Sequence, residues 1–273
     1  MAKNLTPDVL RDNCYTIVEL PLGGMEILDV VARPNGDYLV EGDVFDLCGG
    51  ERPDDLTTLK VQLDQPSADF KAVTTKKTDF TVGVNFLEKF LSVFAAIPAL
   101  GDIGAAFNAG FGGAASIEMT YSNVLQDFID PMKLTPLVEN KTCGPNVYDD
   151  LKKSLRKGRG GIIAGCLKSN GFSVQAFDEK GRNIAPEISV FKQLAGVEVG
   201  VECQKEGETA VTFTGEVPQL FAYRALRLKL TDKGVLKLRR SGKRAKSIGA
   251  PEPRFLWEEF PEDRPVVVHR RDE

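Results

Sequence analysis

Histidine is all but missing from this chain of 273 residues: the sole one, His269, opens the final five residues, HRRDE. Imidazole is the usual base near neutral pH and the commonest biological metal ligand. A chain with none in its body is a poor candidate for a Ser–His–Asp, Cys–His or zinc mechanism. Neither G-x-x-x-x-G-K-[ST] nor G-x-S-x-G occurs, so no phosphate loop or nucleophile elbow is on offer. Positive charge is not in excess either. The 35 Lys and Arg stand against 39 Asp and Glu, a net charge of −4, and nucleic-acid binding usually needs a basic face. Cysteine is sparse and unpaired in spacing: five residues, at 14, 48, 143, 166 and 203, with no C-x-x-C. Free thiols in a reducing cytoplasm are the expectation. The opening MAKNLTPDVLRDN lacks the apolar stretch that a secretory signal requires. No cofactor and no metal site are expected.

Charge is missing in a second sense. From Phe90 to Ile117, FLSVFAAIPALGDIGAAFNAGFGGAASI carries Asp102 alone. A membrane helix needs about 20 consecutive apolar residues. Here Pro98, Asp102 and the glycines at 101, 104, 110, 112 and 113 interrupt the run, and together they argue against a spanning helix.

Elsewhere the pattern is that of an α+β protein with a mostly antiparallel sheet. Thr6-Pro7-Asp8 predicts a short helix to Asn13. YTIVEL, MEILDVVAR and YLVEG predict strands, the last two joined by a turn at Pro34-Asn35-Gly36-Asp37. Alternation predicts another strand over Thr58–Leu63, and Phe80–Val84 reads as extended. Phe86, Phe90, Val93, Phe94 and Ile97 then fall on one helical stripe closed by Pro98. In SIEMTYSNV, Ile117, Met119 and Tyr121 share one strand face. A helix opening at Gly144-Pro145-Asn146 buries Val147, Leu151 and Leu155 and ends at Gly158. Asn170-Gly171 predicts a hairpin between GIIAGCLKS and GFSVQAF, and GVEVGVEC, TAVTFTGEV and YRALRLKL predict further strands.

Near residue 237 the composition shifts to the basic KLRRSGKRAKSIGA, followed by PEPRFLWEEFPEDRPVVV with the single tryptophan. The division expected is a main domain over 1–237, a connector over 238–250 and a short C-terminal segment over 251–273. Arg239, Arg240, Lys243 and Arg244 are the candidate protease-cleavage positions. Phe255, Leu256, Trp257 and Phe260 are candidates for docking against the main domain, since such a cluster is rarely left exposed.

YTIVELPLGGMEILDVVAR near the start, and FGGAASIEMTYSNVLQDFIDPMKL further on, resemble the corresponding parts of bacterial gasdermins. The likeness is clearest over residues 15–134. The resemblance implies a twisted central sheet of the gasdermin N-terminal-domain type, closed by a short C-terminal peptide. It further implies a monomer that is cytoplasmic when autoinhibited. An activating protease, caspase-like or trypsin-like, removes the peptide. The main domain then oligomerises with itself and with membrane lipids, forming inner-membrane pores that kill the cell in antiphage defence. In such pores, soluble-state helices and loops become amphipathic β-hairpins, here at residues 64–119 and 160–203. Phe86, Phe90, Phe94, Phe107 and Phe111 are the membrane-inserting candidates this implies. Some members carry a lipid chain on a cysteine near the N-terminus. Cys14 is the candidate here, although it lies further from the first residue than is usual for that modification.

Two other readings stand beside this one. A non-enzymatic cytoplasmic binding module would use the tail as a docking peptide and the apolar tract as ordinary core. A carboxylate-dependent hydrolase ranks last, because clusters such as Asp54–Asp55 and Asp149–Asp150 read as solvated faces or helix starts.

Overall fold

The computed structural model describes residues 15–17, 25–33, 38–74, 111, 114–144, 147–187, 202–206, 209–239 and 268–270. The sequence-predicted helices over 6–13 and 86–97, the extended piece at 80–84 and the turn at 34–37 lie outside them.

The strands in chain order are β1 (Thr16–Ile17), β2 (Asp29–Ala32), β3 (Tyr38–Asp43), β4 (Gln62–Pro66), β5 (Phe70–Thr74), β6 (Ser116–Ser122) and β7 (Leu125–Phe128). They continue as β8 (Gly160–Phe177), β9 (Asn183–Ile184), β10 (Glu202–Glu206), β11 (Ala210–Leu230), β12 (Leu236–Leu238) and β13 (Val268–Arg270). The helices are α1 (Val44–Cys48), α2 (Pro131–Val138) and α3 (Asp149–Arg156).

Two long antiparallel strands, β8 and β11, form the spine of one sheet. Along its free side β11 receives β10, β1 and β12; along its own free side β8 receives β6, β7 and β2. Outside these lie β5, β4 and β3. Every pairing among the described strands is antiparallel except that of β13 with β3.

The spine corrects the expected hairpin at Asn170-Gly171. The chain runs straight through, with Gly171 opposite Ser122 on one side and Thr214 on the other. Next to it the register with β11 jumps from Thr214↔Gly171 to Gln219↔Ser169, so Gly215–Pro218 bulge out opposite Asn170 alone. Ser169 is fully buried here and its hydroxyl closes the gap, 2.6 Å from the carbonyl oxygens of both Ser122 and Gly171. Turn-like residues mark a bulge shared by two long strands, which is where proline and glycine are tolerated inside a sheet. The same bulge joins TAVTFTGEV and YRALRLKL into one strand.

The strand expected over Thr58–Leu63 also needs correction. Asp55 caps a 3-10 turn over Leu56–Leu59, accepting from Thr57 N–H at 2.9 Å, and Lys60 ends it with φ of 64°. Extended structure begins only at Gln62, and β4 is exposed throughout.

Two helices were not foreseen, though their capping signals are in the sequence. Asp43 and Asp46 form a reciprocal capping box on α1, and Asp130 caps α2 with Pro131 in its first turn. The third helix, α3, is as expected: Val147, Leu151 and Leu155 are buried, and Lys153 and Arg156 occupy the last turn. Leu155 packs directly on the spine because residue 160 is glycine. A Cβ there would stand 2.8 Å from Leu155 Cδ2 and 2.9 Å from the Val31 carbonyl oxygen. The main core lies at this end, where all three helices meet β2, β12 and the adjoining halves of β8 and β11.

Candidate functional site: a tail strand on the sheet edge

The site is built on the β2–β3 hairpin. Before β2, the chain reverses at Leu28, whose φ of 79° is held by its N–H bonding to the Ile163 carbonyl at 3.0 Å. Asp29 secures the same turn by accepting from Glu26 N–H at 2.8 Å. At the other end of the hairpin, Asp43 accepts from the N–H groups of Phe45 and Asp46 at 2.7 and 2.9 Å, which stops β3 and starts α1. Asp29 and Asp43 face each other across the two strands, and both are buried. Arg52 reaches this pair, bonding Glu26 and lying 3.4 Å from Asp43 Oδ2. Burial nevertheless dominates at Asp29, whose carboxyl is pushed up to about 7. The Glu26 N–H and Arg52 oppose that rise, and the charges of Glu26 and Asp43 add to it.

The far edge of β3 is occupied by the C-terminal segment. Val268, His269 and Arg270 pair in parallel with Tyr38, Leu39 and Val40. This is strand addition by main-chain hydrogen bonding, and it covers an edge that would otherwise offer unpaired N–H and C=O groups. Sequence reasoning had the tail docking through its aromatics and did not single out residues 268–270. The β-branched run Val266-Val267-Val268 was the available signal.

The connector meets the sheet at its start. Leu238, placed in the connector by composition, is the buried last residue of β12. Arg239 is exposed, but its N–H still donates to the Arg227 carbonyl at 2.9 Å. β12 therefore runs one residue past the boundary drawn at 237, and main-chain bonding to β11 two, because Leu238 continues the alternation that buries Leu236. Arg240, Lys243 and Arg244 lie outside the described residues, as do the docking candidates Phe255, Leu256, Trp257 and Phe260.

Of the membrane-inserting candidates, Phe111 alone is described, and it is buried at 1% exposure. Phe86, Phe90, Phe94 and Phe107 lie outside. The strands at that end have a two-residue period. On β6, Ile117, Met119 and Tyr121 are buried and oppose Ala176, Val174 and Phe172 of β8, also buried. Tyr121 also stacks on Phe221, with ring centroids 4.2 Å apart. The alternate residues Glu118, Thr120, Ser173 and Gln175 are half-buried, so each strand presents one apolar and one polar face.

Cys14 lies outside the described residues, but its neighbour Tyr15 is fixed. The Tyr15 hydroxyl accepts from Gln126 Nε2 at 2.6 Å, and the Arg224 guanidinium sits 4.8 Å from the ring centroid. Gly165 makes room for both; a Cβ there would come within 2.6 Å of Arg224 Nε and 2.7 Å of Tyr15 Oη.

Among the described residues no group of His, Cys, Asp and Glu could hold a metal ion. A cavity of about 420 Å³ is lined in part by Asp64, Asp127 and Lys168, but the lysine is spoken for. It lies 2.8 Å from Asp127 and 2.5 Å from Asp64, and although burial alone would depress its pKa, these two bonds raise it. Such a lysine is a structural cation and not a nucleophile. No helix among the described residues is long and apolar enough to cross a membrane, which says nothing of crossing by strands.

Comparison with known proteins agrees with this picture. The chain is 24% identical over 216 residues to the gasdermin of Vitiosangium sp. (strain GDMCC 1.1324), covering 78% of this chain and 77% of that one. It is 23% identical over 216 residues to the gasdermin of Gillisia limnaea, with 78% and 77% covered. Its fold matches the solved structure of a bacterial gasdermin from Bradyrhizobium tropiciagri with a TM-score of 0.62 at 11% identity, over 98% of this chain and 100% of that one. The sequence model of the Bacterial Gasdermin Family matches residues 18–235. The chain belongs to the bacterial gasdermin family, whose members are pore-forming proteins and not enzymes.

Proposed function

We propose that this chain is a latent pore former whose C-terminal segment holds it inactive until a protease cuts the connector. The observation that carries the proposal is the strand pairing of Val268–Arg270 on the edge of β3. A segment that close to the C-terminus reaches the edge only by way of the basic run after Arg239 and the Phe255–Phe260 cluster. One cut in that run detaches the whole segment. Arg239, Arg240, Lys243 and Arg244 suit a trypsin-like protease, and a caspase-like enzyme of altered specificity would read the same run. The freed domain then assembles with copies of itself in the cell inner membrane, moving there from the cytoplasm and killing the infected cell.

The strands support the membrane half of the reading. A barrel strand needs about 10 residues of alternating character. The alternation of β6 and of the second half of β8 is of this kind; the start of β6 falls within 64–119 and the second half of β8 within 160–203, the regions where the family resemblance implies hairpins. Phe111, buried at rest, would exchange core for lipid.

The test combines limited proteolysis of the full chain with dye release from vesicles of phosphatidylethanolamine and phosphatidylglycerol. First cuts between residues 239 and 250, and release only after cutting, are expected. First cuts inside the sheet, or a cleanly cut protein that releases nothing, would overturn the proposal.

A further inference from the structure

Five cysteines without paired spacing gave no reason to expect a disulfide, yet the fold brings two of them together from 95 residues apart in sequence (143 minus 48). Cys48 is the last residue of α1. Cys143 lies between α2 and α3, and the segment holding it is pinned to the end of α1. The N–H of Gly144 donates to the Leu47 carbonyl at 2.6 Å. Residue 144 is glycine where the two segments touch, and a Cβ there would lie 3.4 Å from the same Leu47 oxygen. Cys143 and Cys48 are the residues immediately flanking this hydrogen bond. By standard backbone dimensions, their Cα atoms can be no more than about 8 Å apart. Disulfides span Cα separations of roughly 4.4–6.8 Å.

Both side chains are half-buried against the edge of the same hydrophobic core. Cys143 is among the groups whose charge acts on the Cys48 thiol, which again places them close. Cys166 lies buried within β8 and is a free thiol.

We propose that Cys48 and Cys143 are a thiol pair that closes reversibly to a disulfide. The oxidant is a low-molecular-weight disulfide. The thiolate of one cysteine attacks it, forming a protein–small-molecule mixed disulfide and expelling one small thiolate. The second cysteine's thiolate then attacks the protein sulfur of that mixed disulfide, expelling the second. The two protein protons end on the two small thiols; the protein loses two electrons, and the small disulfide gains them. Burial raises the pKa of both thiols, against the pull of Lys141 on Cys48 and of Lys152 and Arg156 on Cys143. Closure is therefore slow at neutral pH and faster in mild alkali, where more thiolate is present.

The bond would join the helix that follows the tail's seat to the segment bonded to the turn before β12. Cys48 ends the helix that directly follows β3, the strand that receives β13. The N–H of Cys143 donates to the Gly234 carbonyl at 2.9 Å, in the turn that leads into β12 and on to the connector. Closing it also staples the ends of the chain between residues 48 and 143, which contains the apolar tract. The existence of the pair does not rest on the pore reading.

The test uses the full chain, equilibrated in reduced and oxidised glutathione at pH 8, then alkylated and digested without reduction. The expected product is one peptide joining Cys48 to Cys143, lost on adding dithiothreitol. A reversible rise in melting temperature should accompany it, absent from Cys48→Ser and from Cys143→Ser. Two substitutions on separate elements guard against one of them simply misfolding. Overturning results are a cross-linked peptide that involves other cysteines only, glutathione held on both thiols with no link, or linkage only after denaturation.

Discussion

Asp29 offers the sharpest test of the electrostatics beneath the tail's seat. In an unfolded chain its carboxyl titrates near 3.9; in the fold, burial lifts it to about 7. Because the folded value is the higher one, the folded state holds a proton that the unfolded state has already lost. The stabilisation this gives is complete below about pH 4, falls as pH rises, and is gone once pH passes the folded value near 7. A displacement of about 3 pH units at 1.36 kcal/mol each sets a ceiling of about 4 kcal/mol. Relaxation and water entry around the charge bring the observable part to roughly 2 kcal/mol.

Asp29→Asn isolates this quantity. The amide oxygen can still accept from Glu26 N–H, so the turn before β2 is kept, while the charge facing Asp43 is removed. Denaturant unfolding of both proteins from pH 5 to 8.5 is the assay. The stability of wild type minus that of Asp29→Asn should fall by roughly 1.3 kcal/mol across that range, about two-thirds of the whole, with the loss complete near pH 7. At pH 8 the variant should be the more stable protein, melting several degrees higher. A difference independent of pH would refute the reasoning and assign Asp29 a hydrogen-bonding role alone.

Further outcomes follow from other contacts. Gly165→Ala sets a methyl within 2.7 Å of both Arg224 Nε and Tyr15 Oη, so it should cost about 1–3 kcal/mol and expose the N-terminal strand to earlier proteolysis. Prolines at both 268 and 269 remove the main-chain donors of β13 and should make the uncut protein release dye from vesicles, while the melting temperature of the sheet barely moves. Trp257→Ala or Phe260→Ala should act in the same direction if those aromatics hold the tail; loss of stability with no dye release would make them plain core. If Cys14 carries a fatty acyl group, native protein should be heavier by one acyl unit, removable by hydroxylamine, and Cys14→Ser should lack it.

What the sequence made legible was periodicity. The buried face of β6 and the stripe of α3 were readable because each element buries one side only, and Ile117, Met119, Tyr121, Val147, Leu151 and Leu155 keep the period. What misled was punctuation. Asn170-Gly171 looks like a hairpin turn because local sequence cannot tell a reversal from a bulge; the difference lies in Ser122 and Thr214, which hold Gly171 in the sheet from either side. The Thr58–Leu63 alternation failed for the opposite reason, since the Asp55 cap acts locally and outcompetes a pattern whose strand pairing begins only at Gln62, opposite Phe128. The tail's seat was least legible of all. Parallel pairing of β13 with β3 joins residues some 230 apart and leaves no mark on either segment beyond β-branched residues.

If the C-terminal segment is the latch proposed above, that pairing also accounts for how it would be both secure and releasable. Three residues on a sheet edge make few main-chain hydrogen bonds, each worth about 1 kcal/mol net, and parallel pairs are slightly weaker than antiparallel ones. Ordering three residues of backbone costs on the order of 1–2 kcal/mol each. A free peptide held by β13 alone would therefore bind weakly or not at all. Attached through the connector, the same strand faces its seat at an effective concentration in the millimolar range or above, and pairing becomes an intramolecular step. The seat needs no great affinity while the chain is whole, and cutting anywhere in the connector removes the tether without disturbing a single contact of β13. A latch built on a large buried interface would stay shut after cleavage. The prediction separating these cases is that a synthetic peptide of residues 251–273, added to cut protein, suppresses dye release only at high micromolar concentration or above. Full suppression at nanomolar peptide would show that contacts in the tail, and not the tether, supply the hold.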